Sequence, residues 1–181
     1  MIASAAMTLT KNLADVLPIA MVLLNSVAAL AGVALLISGL MRFIAHAQYG
    51  HQGPQSGIKT PILYIVSALM LWNLSTSATS TLQTLFGEST TTSNLIGYTA
   101  SSSMTAEGKA MLAAIIGFVR FLGYFFYITG WSRIRWVGQN DSMDRSAFKS
   151  SMYRILAGAL AINIVQTVNY ISEFVGFGKV L

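Results

Sequence analysis

The chain contains no cysteine in 181 residues. That excludes a disulfide, a thiolate nucleophile and a thiolate metal site, and it leaves the redox compartment unread. Charge is also scarce, at 9% of residues, where soluble domains carry about 25%. Acids are the rarest charged class. Asp15, Glu88, Glu107, Asp141, Asp144 and Glu173 are scattered, and only Asp141 and Asp144 are close. Those two share a loop with Arg145 and Lys149, which reads as a solvated segment rather than an acid/base dyad. The only histidines, His46 and His51, are five residues apart and miss the i, i+4 spacing of a helical metal pair. The sequence therefore gives no catalytic set, no metal site and no cofactor site, and an enzyme is not expected.

What is abundant is apolar surface, 54% of residues. Four runs carry it: 18–45, 61–86, 109–131 and 153–175. Each reaches the roughly 20 residues that cross a bilayer. Backbone in lipid must satisfy its own hydrogen bonds, so these runs are expected to be helices. The fold class is all-α, with four hydrophobic helices arranged as two tandem helical hairpins. Residues 1–87 form the first membrane hairpin, 88–107 a Ser/Thr-rich link and 108–181 the second hairpin. The N-terminal stretch makes a poor signal peptide, because its apolar run is too long and carries Lys11 and Asp15 nearby.

A short pattern supports the doubling. Gly32, Ile37, Ser38, Gly39 and Arg42 recur as Gly123, Ile128, Thr129, Gly130 and Arg133. The second helices align more loosely, Ala68 with Ala157 and Leu71 with Leu160, at an offset of 89 against 91 in the first helices. With two spans per half, both copies enter the membrane in the same direction, a parallel repeat unlike the inverted repeats of many transporters. The glycine pairs Gly32/Gly39 and Gly123/Gly130 provide smooth packing stripes.

The cations set orientation. Arg133, Arg135, Arg145, Lys149 and Arg154 form a basic loop region, and Arg42 and Lys59 flank the first hairpin loop. Cationic loops stay cytoplasmic. Both termini are therefore expected on the periplasmic side of a bacterial inner membrane. The net charge of +5 follows from this arrangement, and direct nucleic-acid contact is left open.

Arg120 is the exception, near the middle of the third run. A charge at that depth costs roughly 2.5–3.5 kcal/mol on insertion scales. Snorkelling or pairing within the bundle accounts for it; so does facing an aqueous channel or a lipid headgroup. In the fourth run, Asn163, Gln166, Asn169 and Glu173 share one helical face. Arg120 is expected to point towards the Asn163/Gln166/Asn169 stripe rather than to pair with Glu173. These four residues, Arg120 with Asn163, Gln166 and Asn169, are the lipid- or pore-facing candidates. The second run turns to Asn73-Leu-Ser-Thr-Ser-Ala-Thr-Ser-Thr, a poor lipid face suited to helix packing.

With these residues in view, the chain resembles the small membrane proteins of type IVB conjugation and secretion systems. These are the TraQ/TraR-like proteins of IncI plasmids and the IcmC/DotE and IcmD/DotP relatives. The similarity lies in Pro61-Ile-Leu-Tyr with the span ending Thr84-Leu-Phe-Gly87, and in Gly158-Ala-Leu-Ala-Ile-Asn163-Ile-Val-Gln-Thr167. The resemblance implies a structural subunit of the apparatus that oligomerises into an inner-membrane assembly or a conjugative pilus. Its partners would be further copies of itself, other apparatus subunits and membrane lipid, with bound phospholipid as the one non-protein component. The alternative is a small-solute transporter or channel built from parallel hairpin repeats.

Overall fold

A computed structural model describes residues 2–49, 58–86, 105–137 and 144–178. Six helices follow in order: α1 Ile2–Tyr49, α2 Lys59–Trp72, α3 Leu74–Phe86, α4 Ala106–Ile134, α5 Asp144–Ile162 and α6 Ile164–Val175. Among the described residues there is no strand.

The first apolar run is longer than its composition indicates. α1 begins at Ile2 and passes through Pro18 without ending. Proline lacks an N–H and so removes one helical hydrogen bond, yet the helix continues on both sides of it. α4 begins on a side-chain cap: Thr105 accepts a hydrogen bond from the Gly108 N–H at 3.2 Å, and Glu107 sits in the first turn.

The second and fourth runs are not continuous helices, which corrects the expectation of four uninterrupted helices. Each is broken at an asparagine. Asn73 has φ −124° and ψ 76° between α2 and α3, and Asn163 has φ −114° and ψ 44° between α5 and α6. Asparagine competes with the helix by bonding to nearby backbone. The Thr76 N–H donates to Asn73 Oδ1 at 3.4 Å, and Asn163 Nδ2 donates to the Ala159 carbonyl at 3.5 Å. The α5–α6 break turns the chain by 92°. Two helices are consequently long and apolar enough to cross a bilayer, within Asp15–Gln48 and Glu107–Ile134, or three if the bent α5–α6 pair counts as one.

The most extensive packing joins α1 to α2 and α4 to α5, with α1 against α4 next. A buried cluster runs through both pairs, including Ala28, Leu35, Tyr64 and Leu71 on one side and Tyr127, Ile155, Ala159 and Ile162 on the other. Large apolar side chains such as Leu23, Leu30, Phe125 and Tyr153 remain exposed around it.

Glycines set the two close pairs. A Cβ on Gly32 would stand 3.1 Å from Trp72 N and 3.4 Å from Leu71 C; one on Gly123 would stand 2.7 Å from Ile162 N and 2.9 Å from Ala161 C. A Cβ on Gly39 would meet Tyr64 Cβ, Ile65 Cγ1 and Ile65 N, and one on Gly130 would meet Arg154 Cβ, Ile155 Cγ1 and Ile155 N. Gly39 and Gly130 meet the same three kinds of atom; Gly32 and Gly123 share two, while Ala68 O, at 3.0 Å from the Gly32 Cβ position, has no counterpart at Gly123. Ile65 and Ile155 lie 90 residues apart, as do Trp72 and Ile162 and the two break residues Asn73 and Asn163. The sequence register of 89 therefore shifts by one. Ala68 and Ala157 agree in identity, but contact with the glycine stripe fixes the register.

Candidate functional site

α4 brings its charge to the broken end of α5. Arg120 lies fourteen residues from each end of Ala106–Ile134, at the helix centre. Gly123, less than one turn further along, lets the α5 backbone approach at Ile162. The Arg120 Nε–H donates to the Ile162 carbonyl at 3.1 Å.

A helix C-terminus leaves carbonyls without intrahelical donors. At the end of α5 three are answered individually. The Ala159 carbonyl accepts from the Asn163 N–H at 3.3 Å, the Leu160 carbonyl from Thr167 Oγ1 at 3.0 Å and the Ile162 carbonyl from Arg120. A cation at a helix C-terminus also meets the negative end of its dipole. Arg120 therefore serves the break both as a donor and as a charge.

The polar stripe is divided by the same break. Asn163 is the bend residue itself and is fully buried, while Gln166, Asn169 and Glu173 ride on α6 beyond the turn. Asn163 Oδ1 and Gln166 Oε1 are buried without a hydrogen-bond partner. Unpaired buried acceptors are costly and rare. Asn163 and Gln166 place two of them at the break, in a bundle that also buries the Ser67 and Ser151 hydroxyls without partners. Glu173 lies near the far end of α6, exposed, and no ion pair joins it to Arg120 among the described residues.

Two features of this region have weak signals in sequence. Tyr127, fully buried on α4, shares a 2.9 Å hydrogen bond with Thr81 Oγ1 of α3. This links the hydroxyl-rich segment of the first half to the second, and Thr81 returns a bond to the Ser77 carbonyl at 2.8 Å. Tyr127 belongs to an aromatic run whose composition alone indicates a membrane belt. Gly158 lies against α4 more closely than the paired glycines, with a Cβ there only 2.6 Å from Tyr127 N. It has no glycine counterpart in the first half, since residue 68 is alanine.

The basic residues stay at the other end of these helices. Arg133 reaches Ser150 Oγ at 3.5 Å, Arg135 stands 5.3 Å from the Trp136 ring centre, and Arg145 and Lys149 are exposed. Arg154 places its Cβ beside Gly130. In the first half Arg42 stands 4.7 Å from the Tyr64 ring centre. His46 lies near the end of α1; His51, Glu88, Asp141 and residues 88–104 of the link lie outside the described residues. Among the described residues no three His, Cys, Asp or Glu side chains group as metal ligands. No protein-family model, no curated protein and no solved structure matches this chain.

Proposed function

We propose that this chain is an integral membrane protein built from two tandem helical hairpins, α1–α2 and α4–α5. In this reading it is a structural subunit of a type IVB conjugative transfer or secretion apparatus. Copies assemble in the bacterial inner membrane or into a conjugative pilus. The observation that carries the doubled hairpin is the matched glycine contact: Gly39 and Gly130 meet the same three kinds of atom on α2 and α5, and Gly32 and Gly123 share two of three. Each hairpin is closed along its glycine stripe, α1 packs on α4, and large apolar side chains such as Leu23, Leu30 and Phe125 are turned outward. Such faces suit lipid or further copies.

The cation distribution supports hairpin loops on the cytoplasmic side and the N-terminus on the periplasmic side. The C-terminal end, placed outside by the sequence, rides on α6, which leaves the α5 direction by 92°. Fractionation of cells together with sheared extracellular filaments tests the assembly. Recovery in filaments identifies a pilin, and recovery in membrane oligomers alone identifies an apparatus subunit. Monomers in the membrane with no extracellular material would defeat both.

One observation favours a transporter or channel as the second reading. A helix broken at span depth, ended by an arginine and carrying unpaired buried Asn163 and Gln166 oxygens, resembles the discontinuous helices that bind substrates in transporters. Solute-dependent uptake by reconstituted vesicles, lost in Arg120→Ala, would establish it.

A further inference from the structure

Arg120 and Glu173 are opposite charges that the α5–α6 bend holds apart. α5 packs along the central part of α4, where Gly123 and Gly130 meet its backbone, so the two helices share a direction. α6 leaves that direction by 92°. If α4 crosses the bilayer, α6 runs in the membrane plane and all of it stays at the level of the break. That level is set by Arg120, which holds the Ile162 carbonyl. Glu173, ten residues beyond Asn163, therefore sits at the depth of Arg120 but about 15 Å to the side.

Among the described residues neither charge has an ion partner. The Ile162 carbonyl that Arg120 holds is neutral, and a guanidinium has five N–H donors. Glu173 is exposed among large apolar neighbours: Phe174 is 94% exposed, Phe177 80% and Val175 59%. An apolar groove of about 310 Å³ runs beside them, lined by Val168, Ile171, Ser172, Val175 and Phe177. The chain folds back to shape it. The Phe177 N–H donates to the Ser172 carbonyl at 2.9 Å, with Gly176 at φ 91° allowing the turn. Ionised groups inside a membrane pair with one another or face water.

We propose that Glu173 of one copy pairs with Arg120 of the next, with the apolar end of α6 seated on the neighbouring copy. This rests on the proposed membrane assembly and names the contact that builds it. The contact joins two different surfaces, the centre of α4 and the tip of α6. It is therefore head-to-tail, and it closes into a ring or continues as a helical tube according to the rotation between copies. Glu173 at the tip of α6 and Arg120 at the centre of α4 give the contact two unlike ends.

Energy transfer between copies in proteoliposomes tests this. The full chain has no native cysteine, so Lys149→Cys supplies one labelling position on the exposed basic segment. Wild-type pairing is expected to rise with protein density above that of random mixing. Glu173→Arg and Arg120→Glu are each expected to weaken association by about tenfold or more. The double reversal in one chain is expected to recover part of it, short of wild type because a carboxylate at residue 120 cannot donate to the Ile162 carbonyl. Because Arg120 also closes α5, Glu173→Gln gives an independent arm: it removes only the exposed charge and is expected to weaken association with helicity unchanged. Wild-type association that survives Glu173→Gln and Glu173→Arg overturns the pairing and leaves the assembly standing. Wild-type copies that mix at random overturn the assembly, and the pairing with it.

Discussion

The Nε–H of Arg120 lies 3.1 Å from the carbonyl oxygen of Ile162, so the charge at the middle of α4 closes the broken end of α5. Removing that donor leaves a carbonyl without its partner, a loss of about 1–3 kcal/mol. Arg120→Ala is expected to destabilise the chain by this order. Arg120→Lys keeps the charge but lacks the planar Nε–H, and is expected to recover only part of it. Unfolding of the purified protein in detergent, followed by circular dichroism, measures both. Equal stability of Arg120→Ala and wild type would show that the contact contributes nothing.

The glycines rank themselves. A Cβ at residue 158 would lie 2.6 Å from the Tyr127 backbone nitrogen, and at residue 123, 2.7 Å from that of Ile162. Backbone cannot yield as a side-chain tip does, so Gly158→Ala and Gly123→Ala are expected to cost about 1–3 kcal/mol by overpacking. Gly32→Ala meets its nearest atom at 3.0 Å and is expected to cost less than either. The same unfolding measurement gives the order. A larger loss at residue 32 than at residue 158 would contradict it.

Tyr127 and Thr81 form the polar tie between α4 and α3, with oxygens 2.9 Å apart. Tyr127→Phe and Thr81→Val are each expected to cost about 0.5–1.5 kcal/mol, and the double substitution less than their sum. The coupling expected from such a cycle in a membrane is about 0.6 kcal/mol. Strict additivity would mean that the two hydroxyls do not interact.

The bend is a distance. Spin labels at Lys149→Cys and Phe174→Cys flank Asn163 by fourteen and eleven residues. At about 1.5 Å per residue a straight helix separates them by about 37 Å, and a right-angle turn by about 27 Å. Electron–electron resonance in lipid is expected to return the shorter value. The longer value would mean that α5 and α6 form one straight span.

The legible parts of the fold were those written in residue type. Gly32, Gly39, Gly123 and Gly130 stand where a small side chain is required, and their spacing alone marked the stripes. The breaks were not legible. Asn73 and Asn163 interrupt runs whose hydropathy continues on both sides, with no proline or glycine at the break itself. The spacing of Asn163, Gln166, Asn169 and Glu173 fits one helical face whether or not the chain turns at its first member. Periodicity has no signal for a turn that costs a single non-helical residue. The bond from Arg120 to Ile162 was hidden for a related reason, because its acceptor is backbone and the sequence displays only side chains.

α1 has 48 residues in one helix, about 72 Å at about 1.5 Å per residue. The hydrocarbon core of a bilayer is about 30 Å thick. The turns before Asp15, which include Lys11, precede the stretch of α1 that is apolar enough to cross a bilayer, Asp15–Gln48. They form a stiff extension of about 20 Å continuous with the span itself. With the span inside Asp15–Gln48, these turns stand as a helical strut beyond the headgroups, and a tilt of the span is carried into them.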